Sequence, residues 1–210
     1  RKSGDMLEAA LTAGLCSMGA KVIPLGVVPT PAVAYLTRYY KADAGVVISA
    51  SHNPCEYNGI KFFNSDGYKL SDGIENEIES YILGEKAIEE LPTHGKVGYV
   101  SANHNAVEDY VAFAVSTIDC RLDGMKIAVD CANGASYETA FKALNKLGAN
   151  VEAIHNTPDG VNINHMCGST HMESLQAYVT SIGADIGIAF DGDADRMLAV
   201  DENGKLIDGD

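Results

Sequence analysis

The sequence predicts an α/β protein made of two successive α/β domains with mixed, mostly parallel sheets. Short apolar segments typical of buried strands alternate with segments of helical periodicity, and this cycle occurs twice along the 210 residues. That length accommodates two small domains. A charged, turn-rich segment, 84–96, separates the two cycles. We therefore assign the first domain to residues 1–103 and the second to residues 104–210.

Helices and strands alternate in the predicted first domain. Thr30 followed by Pro31 is typical of a helix start, with Thr30 as the N-cap. The continuous apolar run 44–50 predicts a strand buried on both faces of a parallel sheet. Asn-Ser-Asp-Gly at 64–67 predicts a hairpin turn. The predicted elements are helix 6–18, strand 21–25, helix 30–40, strand 44–50, strands 60–63 and 68–70, and a helix over 72–83 capped by Asp72.

The second domain repeats the alternation. Apolar runs predict its strands, and Gly148 lies where a helix is expected to end. Thr170 and Glu173 have the spacing of a capping box, which predicts that a helix begins there. The predicted elements are helix 106–118, strand 126–130, helix 135–147, strand 150–154, a helix from the capping box to residue 181, strand 185–190 and a hairpin over 197–207.

Composition excludes several classes of function. The chain carries 15 Lys and Arg against 29 Asp and Glu, a formal charge of −14, which repels nucleic acids and acidic membrane surfaces. No run approaches the ~20 apolar residues needed to cross a bilayer. The five cysteines form no C-x-x-C pair, which argues against a disulfide framework or zinc ribbon. We expect a cytoplasmic protein with neither nucleic-acid nor membrane partners.

The first candidate site follows the strand 44–50. Ser51, His52 and an Asn-Pro pair come directly after it, and Lys61 lies ten positions beyond Ser51. Ligands of open parallel sheets collect at the carboxyl ends of the strands, so these residues are candidates for binding or catalysis. A polar loop that only caps backbone groups is the alternative. A serine hydrolase is disfavoured, because Ser51 lacks a G-x-S-x-G elbow and His52 is adjacent to it.

The second candidate site follows the strand 185–190. Asp191, Asp193 and Asp195 place three carboxylates together, with Arg196 next in the chain. Oxygen ligands of this kind suit Mg²⁺, Mn²⁺ or Ca²⁺ rather than zinc. The alternatives are a solvated acidic turn, an EF-hand, which Arg196 in place of the required glycine excludes, and an aspartyl-nucleophile phosphatase, whose pattern Asp195 interrupts.

A zinc site is a further alternative in the second domain. His165, Cys167 and His171 are close in sequence and could bind zinc, although the segment is better explained as a loop that leads into the Thr170 cap. Asn133-Gly134 is predicted to form a turn into the following helix, whose N-terminus could face an anion.

Taken together, these segments resemble the α-D-phosphohexomutase superfamily. The resemblance includes Ser51-His52-Asn53-Pro54, Lys61 and the aspartate motif, and Arg1-Lys2-Ser3-Gly4 resembles the end of that family's D-T-R-x-S-G segment. It extends over nearly the whole chain. The segments that carry it are GVVISASHNPCEYNGIKFFNSDGYKL, DCANGAS, GVNIN, CGSTHMESLQ and AFDGDADRMLAVDENGKLIDGD.

The resemblance implies a phosphorylated nucleophile and a metal ion. In the family, the serine matched by Ser51 is phosphorylated and donates the phosphoryl group. One Mg²⁺ per active site would be bound by Asp191, Asp193 and Asp195, with an oxygen of phosphorylated Ser51 completing the contact. A serine that carries about two negative charges belongs beside a metal and cations supplied by the neighbouring domain.

Three more residues receive roles from the resemblance. Arg196 would neutralise phosphate charge, while Lys61 and His52 would assist proton transfer or positioning. The family has four domains, so the chain would contain most of the first and most or all of the second. The missing C-terminal domains would be its partners, and a homodimer is left open.

The implied activity is an intramolecular phosphoryl transfer. A hexosamine 6-phosphate, glucosamine 6-phosphate first, would be converted into the 1-phosphate through a 1,6-bisphosphate, for amino-sugar nucleotide and cell-wall precursor synthesis. We expect the 210 residues alone to bind metal but to be inactive. The alternatives are a phosphoglucomutase or phosphomannomutase of the same superfamily, or a non-catalytic metal-binding scaffold.

Overall fold

The computed structural model describes residues 1–88, 90–102, 105–207 and 209. Helices and strands alternate as the sequence predicts, and the mixed α/β class is confirmed. The predicted domain boundary, between residues 103 and 104, lies outside the described residues. In the described part of the chain, no helix has both the length and the apolar character needed to cross a bilayer. The helices are α1 (Gly4–Ser17), α2 (Thr30–Tyr39), α3 (Asp72–Ile82), α4 (Ala106–Ser116), α5 (Thr139–Lys146) and α6 (Glu173–Ile182).

The second half is built on a mixed five-stranded sheet, as far as the described residues show. β5 pairs in parallel with both β6 and β7, and an antiparallel hairpin extends the sheet beyond β7. Two of the predicted strands, 126–130 and 150–154, match the observed bounds residue for residue. Along the sheet, the strands are β6 (Asn150–Ile154), β5 (Lys126–Asp130), β7 (Ile186–Phe190), β8 (Met197–Asp201) and β9 (Leu206–Ile207).

Both faces of this sheet are covered. Side chains alternate along a strand, so Ala128 of β5 faces Leu175 and Val179 of α6, whereas Ile127 and Val129 face the opposite side, with α5. A strand buried on both faces needs apolar residues at consecutive positions, which explains the unbroken run at β5. The carboxyl ends of the parallel strands, where Asp191 follows β7, therefore lie between two layers of helices.

The first half contains two short strand pairs. β1 (Lys21–Val22) pairs in parallel with β4 (Tyr99–Val100), and β2 (Ala44–Ile48) pairs antiparallel with β3 (Ile60–Asn64). The prediction of a strand at 44–50 buried on both faces of a parallel sheet is therefore wrong in its pairing, and its burial alternates. The chain returns after only residues 49–59, which is short for the crossover that a parallel pair needs.

Three predicted helix caps are also wrong. α2 begins at Thr30 with Pro29 in the flanking position, α3 begins at Asp72 itself, and α6 begins at Glu173 after Met172. Thr170 instead ends a short 3₁₀ turn. Thr30 and Asp72 are thus the first residues of their helices rather than N-caps, and Thr170 lies two residues before the N-cap of α6.

The two halves contact each other through α2 and α4. Tyr35 stacks on Phe113 with ring centroids 3.8 Å apart, and the Tyr40 hydroxyl donates to Asp109 at 2.6 Å. Tyr110 packs beside the small core of the first half. This contact places the loop after β2 opposite the loop after β7.

Candidate active site

The loops after β2 and β7 meet at the junction of the two halves. The Ser51 hydroxyl donates to the Asp191 carboxylate at 2.8 Å, although the residues are 140 positions apart in the chain. The Lys61 ammonium, from β3, donates to Asp193 Oδ2, also at 2.8 Å. The structure thus brings the two predicted strand-end sites together into one site.

Ser51 has a strained backbone that polar contacts hold in place. Its φ is 49°, in the left-handed region, which costs an ordinary residue about 1–2 kcal/mol. Its carbonyl oxygen accepts two hydrogen bonds, from Arg1 Nη2 at 2.8 Å and from Asn164 Nδ2 at 2.9 Å. Arg1 also donates to the carbonyl of Pro54. Contacts from outside the loop therefore stabilise the conformation that points the hydroxyl at Asp191.

Two of the three aspartates are buried. Asp191 is 1% exposed and Asp193 is 2% exposed. Asp191 accepts hydrogen bonds from Ser51 and from the Arg196 backbone amide. A pair of carboxylates out of contact with water is costly unless cations or donors compensate it. Such an arrangement is typical of a functional site rather than of a solvated acidic turn.

The two buried carboxyls have pKa values shifted in opposite directions. Burial raises the pKa of Asp191, and although the Ser51 hydrogen bond opposes this, the charges of Asp193 and Asp195 raise it further. Burial also disfavours ionised Asp193, but the hydrogen bonds from Lys61 and Thr30, together with the positive charge of Lys61, outweigh it and hold the pKa of Asp193 below its ordinary value. A cation beside Asp191 would therefore relieve an unfavourable charge.

The aspartate loop fits a divalent metal ion. One carboxylate oxygen each from Asp191, Asp193 and Asp195 lies within 4.8 Å of the others. Asp193 Oδ2 accepts hydrogen bonds from the Thr30 hydroxyl, at 2.9 Å, and from the Lys61 ammonium. Its Oδ1, in contrast, is buried and has no hydrogen-bond partner among the described residues. An unpaired buried oxygen in an all-oxygen cluster matches the ligand preference of Mg²⁺.

The other predicted site residues lie at the rim. Asp195 and Arg196 have side chains 37% and 58% exposed, and the guanidinium of Arg196 lies 3.9 Å from the Asp195 carboxylate. His52 is exposed beside Ser51. These three side chains therefore face the open side of the site, where a substrate would approach.

A second polar cluster in the same half surrounds the buried carboxylate of Asp130. Asp130 Oδ2 accepts from the Gly168 amide and contacts His155 Nδ1, both at 2.9 Å, while its Oδ1 accepts from the Ala132 amide at 2.8 Å. Burial raises the pKa of the neighbouring Cys167 thiol to about 12. The carboxylate thus ties three loops together.

The alternative zinc trio is not assembled. His165, Cys167 and His171 do not form a group of ligand atoms within 4.8 Å of one another; in the described part of the chain, the groups that do are Asp130 with His155 and Cys167, and the three aspartates. The segment instead runs through a 3₁₀ turn towards α6.

Close backbone contact fixes the aspartate loop to the turn after β5. The Ala135 amide donates to the Gly192 carbonyl at 2.8 Å. A Cβ atom added at Gly134 would clash with that carbonyl oxygen and would lie 2.7 Å from the Gly192 Cα atom. Residues 135–138 are therefore used in a turn, and α5, predicted to begin at Ala135, begins at Thr139.

We expect Gly134→Ala to lower the free energy of unfolding by about 1–3 kcal/mol, because the added methyl group overpacks against backbone that cannot move aside. Gly14→Ala is the matched control: it lies in α1 with nothing within 4 Å of an added Cβ, and should be neutral or slightly stabilising. Thermal unfolding of both variants checks this. Equal unfolding temperatures for the two would contradict the close contact.

Sequence reasoning missed three residues of the site. The sequence pattern indicates only a helix cap at Thr30, yet its hydroxyl and amide both donate to Asp193. Arg1 and Asn164, which lie in segments that carried the family resemblance, donate to the serine loop. Each residue acts through a contact that spans a long stretch of chain, so local patterns give no signal for the pairing.

Comparison with known proteins identifies the family. Residues 1–89 match domain I of phosphoglucomutase/phosphomannomutase, an alpha/beta/alpha domain, and residues 106–204 match domain II of the same family. The chain belongs to this family. The two matched domains contribute Ser51 and the aspartate loop respectively, so the site described above lies between phosphoglucomutase/phosphomannomutase domains I and II.

Similar proteins agree with this assignment. Phosphoglucosamine mutases of Acetivibrio thermocellus and Clostridium acetobutylicum are 63% and 62% identical over the whole chain, which is 47% of each relative. The chain thus spans about half the length of these curated relatives. A phosphoglucomutase/phosphomannomutase family protein of Burkholderia thailandensis has a similar structure, with a TM-score of 0.82 and 29% identity over 99% of this chain and 46% of that one.

Proposed function

We propose that the chain forms the first two domains of a phosphoglucosamine mutase, in which Ser51 carries the transferred phosphoryl group. The reaction would interconvert glucosamine 6-phosphate and glucosamine 1-phosphate through a 1,6-bisphosphate. The contact between the Ser51 hydroxyl and Asp191, made across the two domains, is the observation that carries the proposal. High identity to phosphoglucosamine mutases over all 210 residues supports the amino-sugar assignment.

The protein's contribution to phosphoryl transfer is positioning and charge. Ser51 is held in a left-handed backbone conformation, with its oxygen facing the aspartate loop. Asp191, Asp193 and Asp195 would bind Mg²⁺. When bound, Mg²⁺ supplies neutralisation of phosphoryl oxygen charge. Because the transition state is loose and charge-rich, in-line geometry and electrostatic stabilisation account for most of the catalysis.

Cations near the serine complete the proposed site. Lys61 lies beside Asp193, with its side chain 38% exposed, and would exchange a proton with a sugar hydroxyl that enters from the open side. Arg196 and His52, both exposed, are assigned to phosphate charge and to substrate positioning. The net charge of −14 disfavours an anionic substrate at long range, so the local positive charges of Lys61 and Arg196 are needed.

We expect Lys61→Ala in the complete parent chain to lower kcat by about 10²–10⁴-fold, the usual contribution of a general acid or base. Mg²⁺ affinity should not weaken, because the substitution removes a positive charge from beside Asp193. Lys69→Ala is the control: this lysine is 73% exposed and pairs with Glu75 on the surface. Steady-state kinetics with calorimetric metal titration measure both effects, and undiminished turnover by Lys61→Ala would refute the assigned role.

Comparison of substrates tests the proposal. The complete parent chain, with Mg²⁺ and a trace of sugar 1,6-bisphosphate, is supplied in turn with glucosamine, glucose and mannose 6-phosphates. The fastest turnover is expected with glucosamine 6-phosphate. A preference for glucose or mannose 6-phosphate would be compatible with the family but would overturn the amino-sugar assignment. No turnover of any of the three substrates would favour a metal-binding scaffold.

Several finer points stay predictions. These are inactivity of the 210 residues alone, dependence on further C-terminal domains, a homodimeric state and a cytoplasmic setting. The division at residues 103 and 104 also remains a proposal, and the family matches that end at 89 and resume at 106 support it.

A further inference from the structure

Asn164 is a buried residue whose side chain crosses from the second half of the chain to the serine loop. It lies between β6 and α6 and is 8% exposed. Its Nδ2 donates to the Ser51 carbonyl at 2.9 Å and to the Asn53 carbonyl at 3.1 Å. Both partners only accept hydrogen bonds, so chemistry fixes the orientation of the amide, with the nitrogen facing the loop.

The backbone of Asn164 is anchored to the central sheet. Its amide donates to the Ala132 carbonyl at 3.0 Å, and the Ala132 amide donates to the Asp130 carboxylate at the end of β5. The φ of Asn164 is 58°, a left-handed conformation that asparagine adopts more readily than most residues. The side chain therefore extends towards the serine loop from a rigid support.

The aspartate loop contacts the same point. A Cβ atom added at Gly192, between Asp191 and Asp193, would lie 2.7 Å from Asn164 Nδ2 and 2.8 Å from the Ser51 carbonyl oxygen. Asn164, the Ser51 backbone and the Gly192 backbone thus touch one another. This three-way contact sets the spacing between the nucleophile loop and the metal loop.

We propose that Asn164 is a positioning residue for the phosphoryl transfer. By holding the carbonyls on both sides of His52, it keeps the Ser51 oxygen within hydrogen-bonding distance of Asp191 in the otherwise unfavourable left-handed conformation. The inference rests on the proposed function for its catalytic consequence. Asn164 contacts only the backbone of the serine loop, so it acts through Ser51 and not on the substrate.

Loss of this support should affect turnover more than binding. Phosphoryl transfer needs in-line geometry, and a displacement of about 1 Å at a reacting group costs about 10²-fold in rate. The asparagine is buried beneath the loop, away from the exposed rim formed by Asp195 and Arg196. We therefore expect a decrease in kcat with little change in KM or in Mg²⁺ affinity.

The test uses two variants of the complete parent chain. Asn164→Ala removes both donors, and Asn164→Asp keeps the shape but turns an acceptor towards two carbonyl oxygens. Both should lower kcat by about 10–100-fold, with KM and the Mg²⁺ dissociation constant within about threefold of wild type. A decrease in kcat in Asn164→Asp but not in Asn164→Ala would indicate an effect of the added charge and would overturn the inference.

Asn162→Ala is the matched control. Asn162 lies in the same loop, but its side chain accepts from the Asp159 amide and donates to the Thr157 carbonyl, both at 3.0 Å. This variant should therefore perturb the loop without releasing Ser51, and its kcat should stay within about twofold of wild type. An equal kcat loss in Asn162→Ala and Asn164→Ala would show that the effect is a general consequence of loop damage.

Hydrogen exchange separates this inference from the proposed function. The amides of Ser51 and Asn53 donate within the serine loop, to Ser49 Oγ and to the Ala50 carbonyl, both at 3.0 Å. In Asn164→Ala these amides should exchange at least about tenfold faster than in wild type or Asn162→Ala. This readout needs no turnover, so it decides the inference even if no sugar phosphate is converted. Unchanged exchange would overturn the positioning role.

Discussion

Replacement of Ser51 by alanine is expected to reduce mutase activity of the complete parent chain by about 10⁴-fold or more, because the variant lacks the hydroxyl proposed to carry the phosphoryl group. Metal binding should persist, since Asp191, Asp193 and Asp195 are unchanged. The unfolding temperature should also stay close to that of wild type, because the hydroxyl makes a single hydrogen bond to Asp191. Steady-state assay with glucosamine 6-phosphate measures the effect.

The control for this variant is Ser65→Ala, in the exposed turn between β3 and α3, which should leave turnover unchanged. If Ser51→Ala retained more than about a tenth of wild-type activity, another group would have to carry the phosphoryl group. The scaffold alternative predicts unchanged function of the parent protein in this variant, so the same measurement separates the enzyme from the scaffold.

Asp193→Asn is expected to weaken Mg²⁺ binding by about 100-fold or more, since loss of a direct ligand should exceed the 10–100-fold cost of losing an outer contact. The change is nearly isosteric, so Thr30 and Lys61 keep a neighbour of the same shape. Because metal affinity is lower, mutase activity at a fixed low Mg²⁺ concentration should also fall, and it should recover in part at a high Mg²⁺ concentration. Calorimetric titration measures the affinity directly.

Asp66→Asn is the matched control for the metal experiment. Asp66 is exposed in the turn between β3 and α3, away from the aspartate loop, so the variant changes the net charge by the same amount without touching the site. Equal Mg²⁺ affinity in Asp193→Asn and wild type would contradict the assigned metal site. A similar loss in Asp66→Asn would show that the overall charge, and not a ligand, governs the binding.

Strands of the second half could be predicted because burial on one or both faces gives a recognisable pattern of apolar residues. β5 is an apolar run buried on both faces, whereas β6, at the edge of the sheet, alternates apolar residues with the exposed Asn150 and Glu152. The observed bounds of both strands match those predicted. The start of α5 could not be predicted, because the Ala135 amide bonds to Gly192, a residue far along the chain. Local helix patterns do not record such a contact.

The pairing of β2 was mispredicted for a related reason. An apolar run of Val and Ile fits either a parallel or an antiparallel strand, and the short return through residues 49–59 decides between them. Position at a strand end was enough to select Ser51 and the aspartates as candidates. It did not select Thr30 or Asn164, since their roles depend on how the two halves pack together.

The central claim is that Ser51 and the aspartate loop form one phosphoryl-transfer site, and phosphosite mapping tests it most directly. The complete parent chain is incubated with a hexosamine 1,6-bisphosphate and Mg²⁺, and the bound phosphate is located by tandem mass spectrometry. We predict phosphate on Ser51 in wild type, and much less of it in Asp193→Asn or with chelator. Phosphate on any other residue, or turnover without phosphorylated Ser51, would contradict the account.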